Sequence, residues 1–335
     1  MEKGHRLSRA TRTRSARGRI IGAKVGIISV VPYAVLLAIY GVILFLQPKL
    51  FSLDWLGLKT NDAMALILVS IGQTVVMIQG GIDLSVGGIV CVTNSIAALY
   101  MPGSLTGILL MSLSVLILGT AIGLLNGVVI ARTRLQPFII TLASWSIWGG
   151  VALSILPIDG GEPPKDFING LLARPMGISL SLFAILALIL VWLYVKKTRF
   201  GVSVYAVGSS EKAANLNGIG VGRTKLQVYA LSGFLAASAG LFRTAQVASG
   251  SPLAGNSFIM TSIVAAVIGG TSLSGGKGGI VGTIAGAFIL KLIADMLVFL
   301  GVSTYWSTLC QGSLLIFAVV MSSVAEMAKR KGFEL

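Results

Sequence analysis

Hydrophobic and polar positions along the chain fall into blocks, not into a strand-like alternation. Apolar runs long enough to cross a bilayer as helices are separated by short polar or glycine-rich stretches. They predict spans at 25–46, 63–79, 88–101, 107–130, 138–156, 179–195, 226–247, 259–270, 279–300 and 305–324. The expected fold is an all-α polytopic membrane protein with about ten transmembrane helices. The longer polar stretches, 47–62, 157–178 and 196–225, read as loops. The expected division is a basic tail over 1–24, a membrane domain over 25–324 with a cytoplasmic loop at 196–225, and a C-terminal tail over 325–335.

Two places break this pattern. Gly80-Gly81-Ile82-Asp83-Leu84-Ser85-Val86-Gly87-Gly88 puts a carboxylate and four glycines between uncharged apolar runs. An ionised Asp deep in a bilayer costs about 2.5–3.5 kcal/mol, and Gly weakens a helix by about 1 kcal/mol against Ala. A chain that accepts both breaks its helix there, to line a polar path or to build a tight turn. Gly269-Gly270-Thr271-Ser272-Leu273-Ser274-Gly275-Gly276 echoes the first stretch, and both run on into Gly-Gly-Ile-Val, at 87–90 and 278–281. The expectation is an internal repeat with broken helices at Gly80–Gly88 and Gly269–Gly279.

Composition agrees with a membrane protein. The 335 residues are 55% hydrophobic and 11% charged, where soluble domains run near 25% charged. The single His, His5, lies in the basic tail, and the two Cys, Cys91 and Cys310, fall inside apolar runs. That argues against a disulfide framework, a His/Cys metal site and His-based catalysis. The net charge of +15 reads as topology and not as nucleic-acid binding. With ten spans and both termini inside, the segments assigned inside carry most of the Lys and Arg, as the positive-inside bias requires.

Candidate chemistry is polar and mostly uncharged. Asp83 and Ser85 either meet a substrate or cap the helix that follows. Gln79, Asn94 and Asn126, with Gln73, Thr74 and Gln246, are able to hydrogen-bond a polyol or to hold helices together. Ser272 and Ser274 stand at the corresponding places in the second break. Lys291 and Asp295 share one helix face, as a relay or as a structural ion pair. Gly276-Lys277 is no phosphate-binding loop, since Gly278 follows where Ser or Thr is needed. In the 196–225 loop, Ser209-Ser210-Glu211-Lys212-Ala213-Ala214-Asn215-Leu216-Asn217-Gly218 has a capping hydroxyl, an early Glu and a terminal Gly, the marks of a short helix.

These residues carry a family resemblance. The Gly80–Gly87 stretch, Asn126-Gly127 through Pro137-Phe138-Ile139-Ile140-Thr141-Leu142, Arg199-Phe200-Gly201 through Tyr205-Ala206-Val207-Gly208, the Glu211-x-Ala213-Ala214-x-x-x-Gly218 helix, and Gly269–Gly276 resemble the membrane permease subunit of bacterial ATP-binding-cassette sugar importers. The resemblance is to the ribose/galactose/xylose branch and covers about 30–325. It implies a non-enzymatic translocation subunit of the bacterial inner membrane, with both termini cytoplasmic and no cofactor of its own. It implies a cytoplasmic ATPase subunit that receives Glu211, Ala213, Ala214 and Gly218, a periplasmic sugar-binding protein, and a second permease copy or paralogue. With that reading, the sugar path is expected near Asp83, Ser85, Gln79, Asn94, Asn126, Ser272 and Ser274, with hinges at Gly80, Gly81, Gly87, Gly88, Gly269, Gly270, Gly275 and Gly276. The chain departs from its relatives at Gln79, Trp148-Gly149-Gly150 and Lys212. A proton-coupled secondary transporter using Asp83, Lys291 and Asp295 is the alternative, and a non-transporting membrane scaffold or integral-membrane enzyme is a third reading.

Overall fold

The structure is a computed structural model that describes residues 30–48, 52–133 and 135–301, with six further helical positions between 306 and 320. Both tails and most of the expected 305–324 span lie outside the described residues. Twelve α-helices run through the described residues: α1 Val30–Leu46, α2 Leu53–Ile78, α3 Ser85–Tyr100, α4 Leu105–Arg132, α5 Pro137–Ile155, α6 Lys165–Leu171, α7 Leu180–Val195, α8 Arg199–Ser209, α9 Glu211–Leu216, α10 Val221–Val247, α11 Asn256–Ile268 and α12 Ile280–Phe299. No β-strand occurs among these residues; one isolated bridge joins Gly160 and Gly250.

Helix α2 is the central post. Every residue from Ala63 to Ile78 is buried, as a helix that is apolar all round demands. Helices α10, α11 and α12 pack around it, and α3 packs against α10 and α11. Helix α4 buries a stripe, Val115, Gly119, Ile122, Gly123, Asn126, Gly127 and Ile130, against α10. The crossing is backbone on backbone: a Cβ at Gly123 would strike the Tyr229 carbonyl oxygen, and one at Gly233 the Gly119 carbonyl oxygen. Small residues at the crossing permit this approach, and van der Waals contact then supplies the attraction that hydrophobicity cannot supply in lipid. The outward faces of α4, α5 and α7 stay apolar, with Leu109, Leu113, Ile117, Ile147, Leu186 and Leu190 exposed.

Four helices among the described residues (α2, α4, α5 and α12) are long and apolar enough to cross a membrane, or five if α7 and α8, bent by 76°, form one span. The expected count of ten is therefore not reached by length and composition. Helices α1, α3 and α11 are apolar but shorter than 18 residues, and α10 is long but rich in small and polar residues.

Three boundaries need correction. The expected 47–62 loop is helical from Leu53, capped by the Ser52 hydroxyl, which accepts from the Trp55 N–H at 3.2 Å. The first break is shorter than Gly80–Gly88: α3 already begins at Ser85, so Gly87 and Gly88 lie in its first turn. There they allow close packing, since a Cβ on Gly88 would meet the Trp145 carbonyl oxygen of α5 at 2.9 Å. The 196–225 segment is mostly helix, made of α8, α9 and the start of α10.

Candidate functional site

The two glycine turns stop their helices in the same way. Helix α2 ends at Ile78, and Gly80 then takes φ +92°, with Gly80 N–H donating to the Met77 carbonyl and Gly81 N–H to that of Val76. Helix α11 ends at Ile268, and Gly270 takes φ +88°, with matching bonds from Gly270 to Val267 and from Thr271 to Ala266. Both are glycine C-caps of the kind only a residue without a Cβ adopts freely. The sequence match sets Gly80 against Gly269, whereas the cap geometry sets Gly80 against Gly270, one residue away.

The turns also touch each other. Gly276 N–H donates to the Ile78 carbonyl at 2.8 Å, so the second turn satisfies an orphan acceptor at the end of α2. Gly208 of α8 closes the junction: a Cβ there would strike the Ile78 carbonyl oxygen and lie 2.8 Å from Gly276 N. Tyr205, one turn earlier, donates its hydroxyl to the Gly278 carbonyl at 2.7 Å. Helix α9 begins three residues beyond Gly208, so α8 joins α9 to both breaks.

Asp83 is fully buried. One carboxylate oxygen accepts from the Ser85 N–H at 3.0 Å and from the Ser85 hydroxyl at 2.5 Å, and the other accepts from the Ser232 hydroxyl of α10 at 2.7 Å. Asn126 of α4 donates to the Ser85 hydroxyl oxygen at 2.9 Å, and Thr141 of α5 to the Ile82 carbonyl at 3.2 Å. The break between α2 and α3 is thus tied to α4, α5 and α10. Asp83, Ser85 and Asn126, all expected at the site, come together. Ser232 was not anticipated, because one hydroxyl in a span rich in small residues has no distinguishing spacing, and Thr141, part of the Pro137–Leu142 run, had been given no site role.

The other expected residues are not bonded into this cluster. Gln79 caps α2 and is buried. Ser272 and Ser274 lie in the second turn, where the Ser274 N–H donates to the Ser272 hydroxyl at 3.2 Å. Asn94 belongs to the far end: its amide donates to the Thr244 hydroxyl at 2.7 Å and its carbonyl accepts from the Ser251 N–H at 2.6 Å. Nearby, Gly160 and Gly250 exchange backbone bonds.

Lys291 and Asp295 do not pair with each other. Lys291 reaches Asp62 at 3.2 Å and Asp295 reaches Lys59 at 2.8 Å, so α2 and α12 are joined by two reciprocal ion pairs. About 24 Å of helix, at ~1.5 Å per residue, separates Asp62 from the end of α2.

Helix α9 has both predicted ends. The Ser210 hydroxyl accepts from the Ala213 N–H at 3.2 Å, Gly218 takes φ +77°, and Ile219 N–H returns to the Ala214 carbonyl. Ala214 is buried, while Glu211, Ala213 and Gly218 are exposed, and Glu211 pairs with Lys225 at 2.8 Å. Leu216 is 80% exposed, an apolar residue without cover on a surface of charges.

No group of three or more His, Cys, Asp or Glu able to hold a metal ion occurs among the described residues. Residues 59–319 match the family described as the permease component of branched-chain amino acid transport systems. The chain belongs to this permease family. The ribose import permease protein of Escherichia coli strain K12 is 32% identical over 317 residues, covering 93% of this chain and 98% of that one. The ribose import permease protein of Bacillus subtilis strain 168 is 36% identical over 262 residues, covering 76% and 80%. The galactose/methyl galactoside import permease protein of E. coli K12 is 30% identical over 318 residues, covering 89% and 95%. No solved structure matches. The family description names amino acids, whereas these permease relatives are named for sugars.

Proposed function

We propose that the chain is the translocation subunit of an ATP-binding-cassette importer of the bacterial inner membrane, carrying a pentose, hexose or related furanose. The observation that carries this reading is the end-to-end likeness to the ribose import permease protein, over 93% of this chain. In this proposal the chain crosses the membrane ten times, with both termini and the end bearing α8 and α9 in the cytoplasm. Arg132, Lys196, Lys197, Arg199, Arg223 and Lys225 cluster at that end, as the positive-inside bias requires.

A separate ATPase subunit receives α9 through Glu211, Ala213, Ala214 and Gly218, with the exposed Leu216 as its apolar anchor. A periplasmic binding protein delivers the sugar at the opposite end, and a second permease copy or paralogue completes the pathway. Movement of α9 passes through α8 to Gly208, where both glycine turns meet. The glycines at 80, 81, 269, 270, 275 and 276 are the hinge, with Gly87 and Gly88 holding α3 close to its neighbours. Asp83, Ser85 and Asn126 hold the first break in shape beside the path, while Gln79, Asn94, Ser272 and Ser274 supply polar contacts along it.

The distribution of ionisable groups disfavours a proton relay. Asp83 lies at the glycine-turn end, whereas Lys291 and Asp295 are engaged with α2 far along the helix. Uptake into vesicles decides between the two. Import should follow ATP and survive an uncoupler at constant ATP; import that collapses with the uncoupler would overturn the proposal.

A further inference from the structure

Two open grooves flank α9. The smaller, of about 450 Å³, has mixed charge, with Glu211, Lys212 and Lys225 among its lining residues. The larger, of about 760 Å³, lies between the α7–α8 elbow and the start of α10, and its charged lining is Lys197, Arg199 and Arg223. No acid lines it, and none of these three cations is in an ion pair among the described residues. Phe200, Val202 and Ile219 give it an apolar wall.

The groove also adjoins a lipid-facing surface. Helix α7 exposes Leu186, Leu190, Val191 and Tyr194 along its length and then bends by 76° into α8. An apolar surface fit for acyl chains therefore runs directly into a cationic recess. Two guanidinium forks and an ammonium with no counter-charge among the described residues match a phosphodiester, which arginine binds bidentately. Basic recesses between spans at the cytoplasmic face are where anionic headgroups bind.

We propose that the groove between α8 and the start of α10 is a binding site for the headgroup of an anionic phospholipid, with Arg199 and Arg223 holding the phosphate and Lys197 at its edge. The inference rests on the reading of this chain as a membrane permease whose α8–α9 end is cytoplasmic. An acidic segment of a protein partner is the poorer fit, because Phe200, Val202 and Ile219 set an apolar wall beside the cations and Lys197 follows directly on the exposed apolar end of α7. A lipid held at this place bridges the α7–α8 elbow, α8 and α10 beside the coupling helix, so membrane composition would bias the same elements that the ATPase moves.

The test is native mass spectrometry of the full chain in neutral detergent, with phosphatidylglycerol or phosphatidylcholine of the same acyl chains. The parent chain should retain phosphatidylglycerol preferentially. Each cation removed should weaken retention about fivefold, so Arg199→Ala with Arg223→Ala should lose about twenty-five-fold, while Arg199→Lys with Arg223→Lys keeps most of it. Inorganic phosphate and glycerol 3-phosphate should not displace the lipid. Equal retention of the two lipids by the parent chain overturns the proposal without reference to any variant's folding. So does undiminished phosphatidylglycerol binding by the alanine variant, or displacement by inorganic phosphate, which would mark a free-anion site. An alanine variant that keeps its lipid but loses a co-purifying ATPase would assign the groove to the protein interface instead. None of these readouts depends on sugar uptake, so the lipid site and the transport function fail separately.

Discussion

Removing the Asp83 carboxylate tests whether the first break is held by its hydrogen bonds. The carboxylate accepts three: two from Ser85 and one from Ser232. Bonds to a carboxylate contribute about 1.5–3 kcal/mol each when charged, and a donor left bare in a buried site costs about 1–3 kcal/mol. The two Ser85 bonds share one residue and are not independent, so two anchors set the scale. Asp83→Ala should destabilise the chain by about 3–5 kcal/mol, the upper end for a single substitution. Asp83→Asn keeps an oxygen for Ser85, and its amide is able to donate to the Ser232 hydroxyl, so its cost should be about 1–2 kcal/mol. The assay is thermal unfolding of the full chain in detergent, read by size-exclusion chromatography, alongside uptake per folded molecule in vesicles. The alanine variant should lose folded protein, and the asparagine variant should transport within about twofold of the parent per folded molecule. An Asp83→Ala chain as stable as the parent would refute the structural role. An Asp83→Asn chain that folds normally but fails to transport would place the carboxylate in the transport chemistry.

Other outcomes follow from the same geometry. Gly233→Val should separate α4 from α10 at their backbone crossing and abolish the monodisperse folded species on size-exclusion chromatography; a normal elution profile would contradict the crossing. Gly208→Ala should disturb the junction of the two glycine turns and lower the thermal midpoint, whereas Gly150→Ala, where a Cβ meets nothing within 4 Å, should leave it unchanged. A double-mutant cycle on Lys59→Ala and Asp295→Ala should return a coupling of about 1 kcal/mol, modest because both side chains are about one-fifth exposed; zero coupling would show that the pair does not join α2 to α12. Glu211→Ala should change stability by less than about 0.5 kcal/mol, since the side chain is 55% exposed, yet abolish sugar-stimulated ATP hydrolysis by the assembled transporter. Full stimulation would remove Glu211 from the coupling role.

The parts of this fold written in local chemistry were legible in the sequence. The breaks announced themselves because glycine pairs inside apolar runs have few other uses, and α9 did so because Ser210 and Gly218 mark its ends within eight residues. What depended on long-range pairing was not legible. Lys59 and Asp62 made the start of α2 read as a loop, because the charges that neutralise them, Asp295 and Lys291, lie more than 220 residues away. Ser232 gave no signal, since its role is fixed only when α10 crosses α2 and α3. Gly208 stood in the sequence only as the end of the Arg199–Gly208 run that carries the resemblance, and only the meeting of both turns on its backbone shows why a side chain is excluded there.

The central claim is that this chain works as the membrane half of an ATP-driven importer. The most direct measurement is co-purification of the tagged full chain from its native membrane in mild detergent, after crosslinking in intact membranes, with mass spectrometry of the partners. The account predicts a stoichiometric ATPase subunit, crosslinked to residues within Glu211–Gly218. A chain that emerges alone, or an ATPase crosslinked only at the opposite end near Gly160 and Gly250, would contradict it.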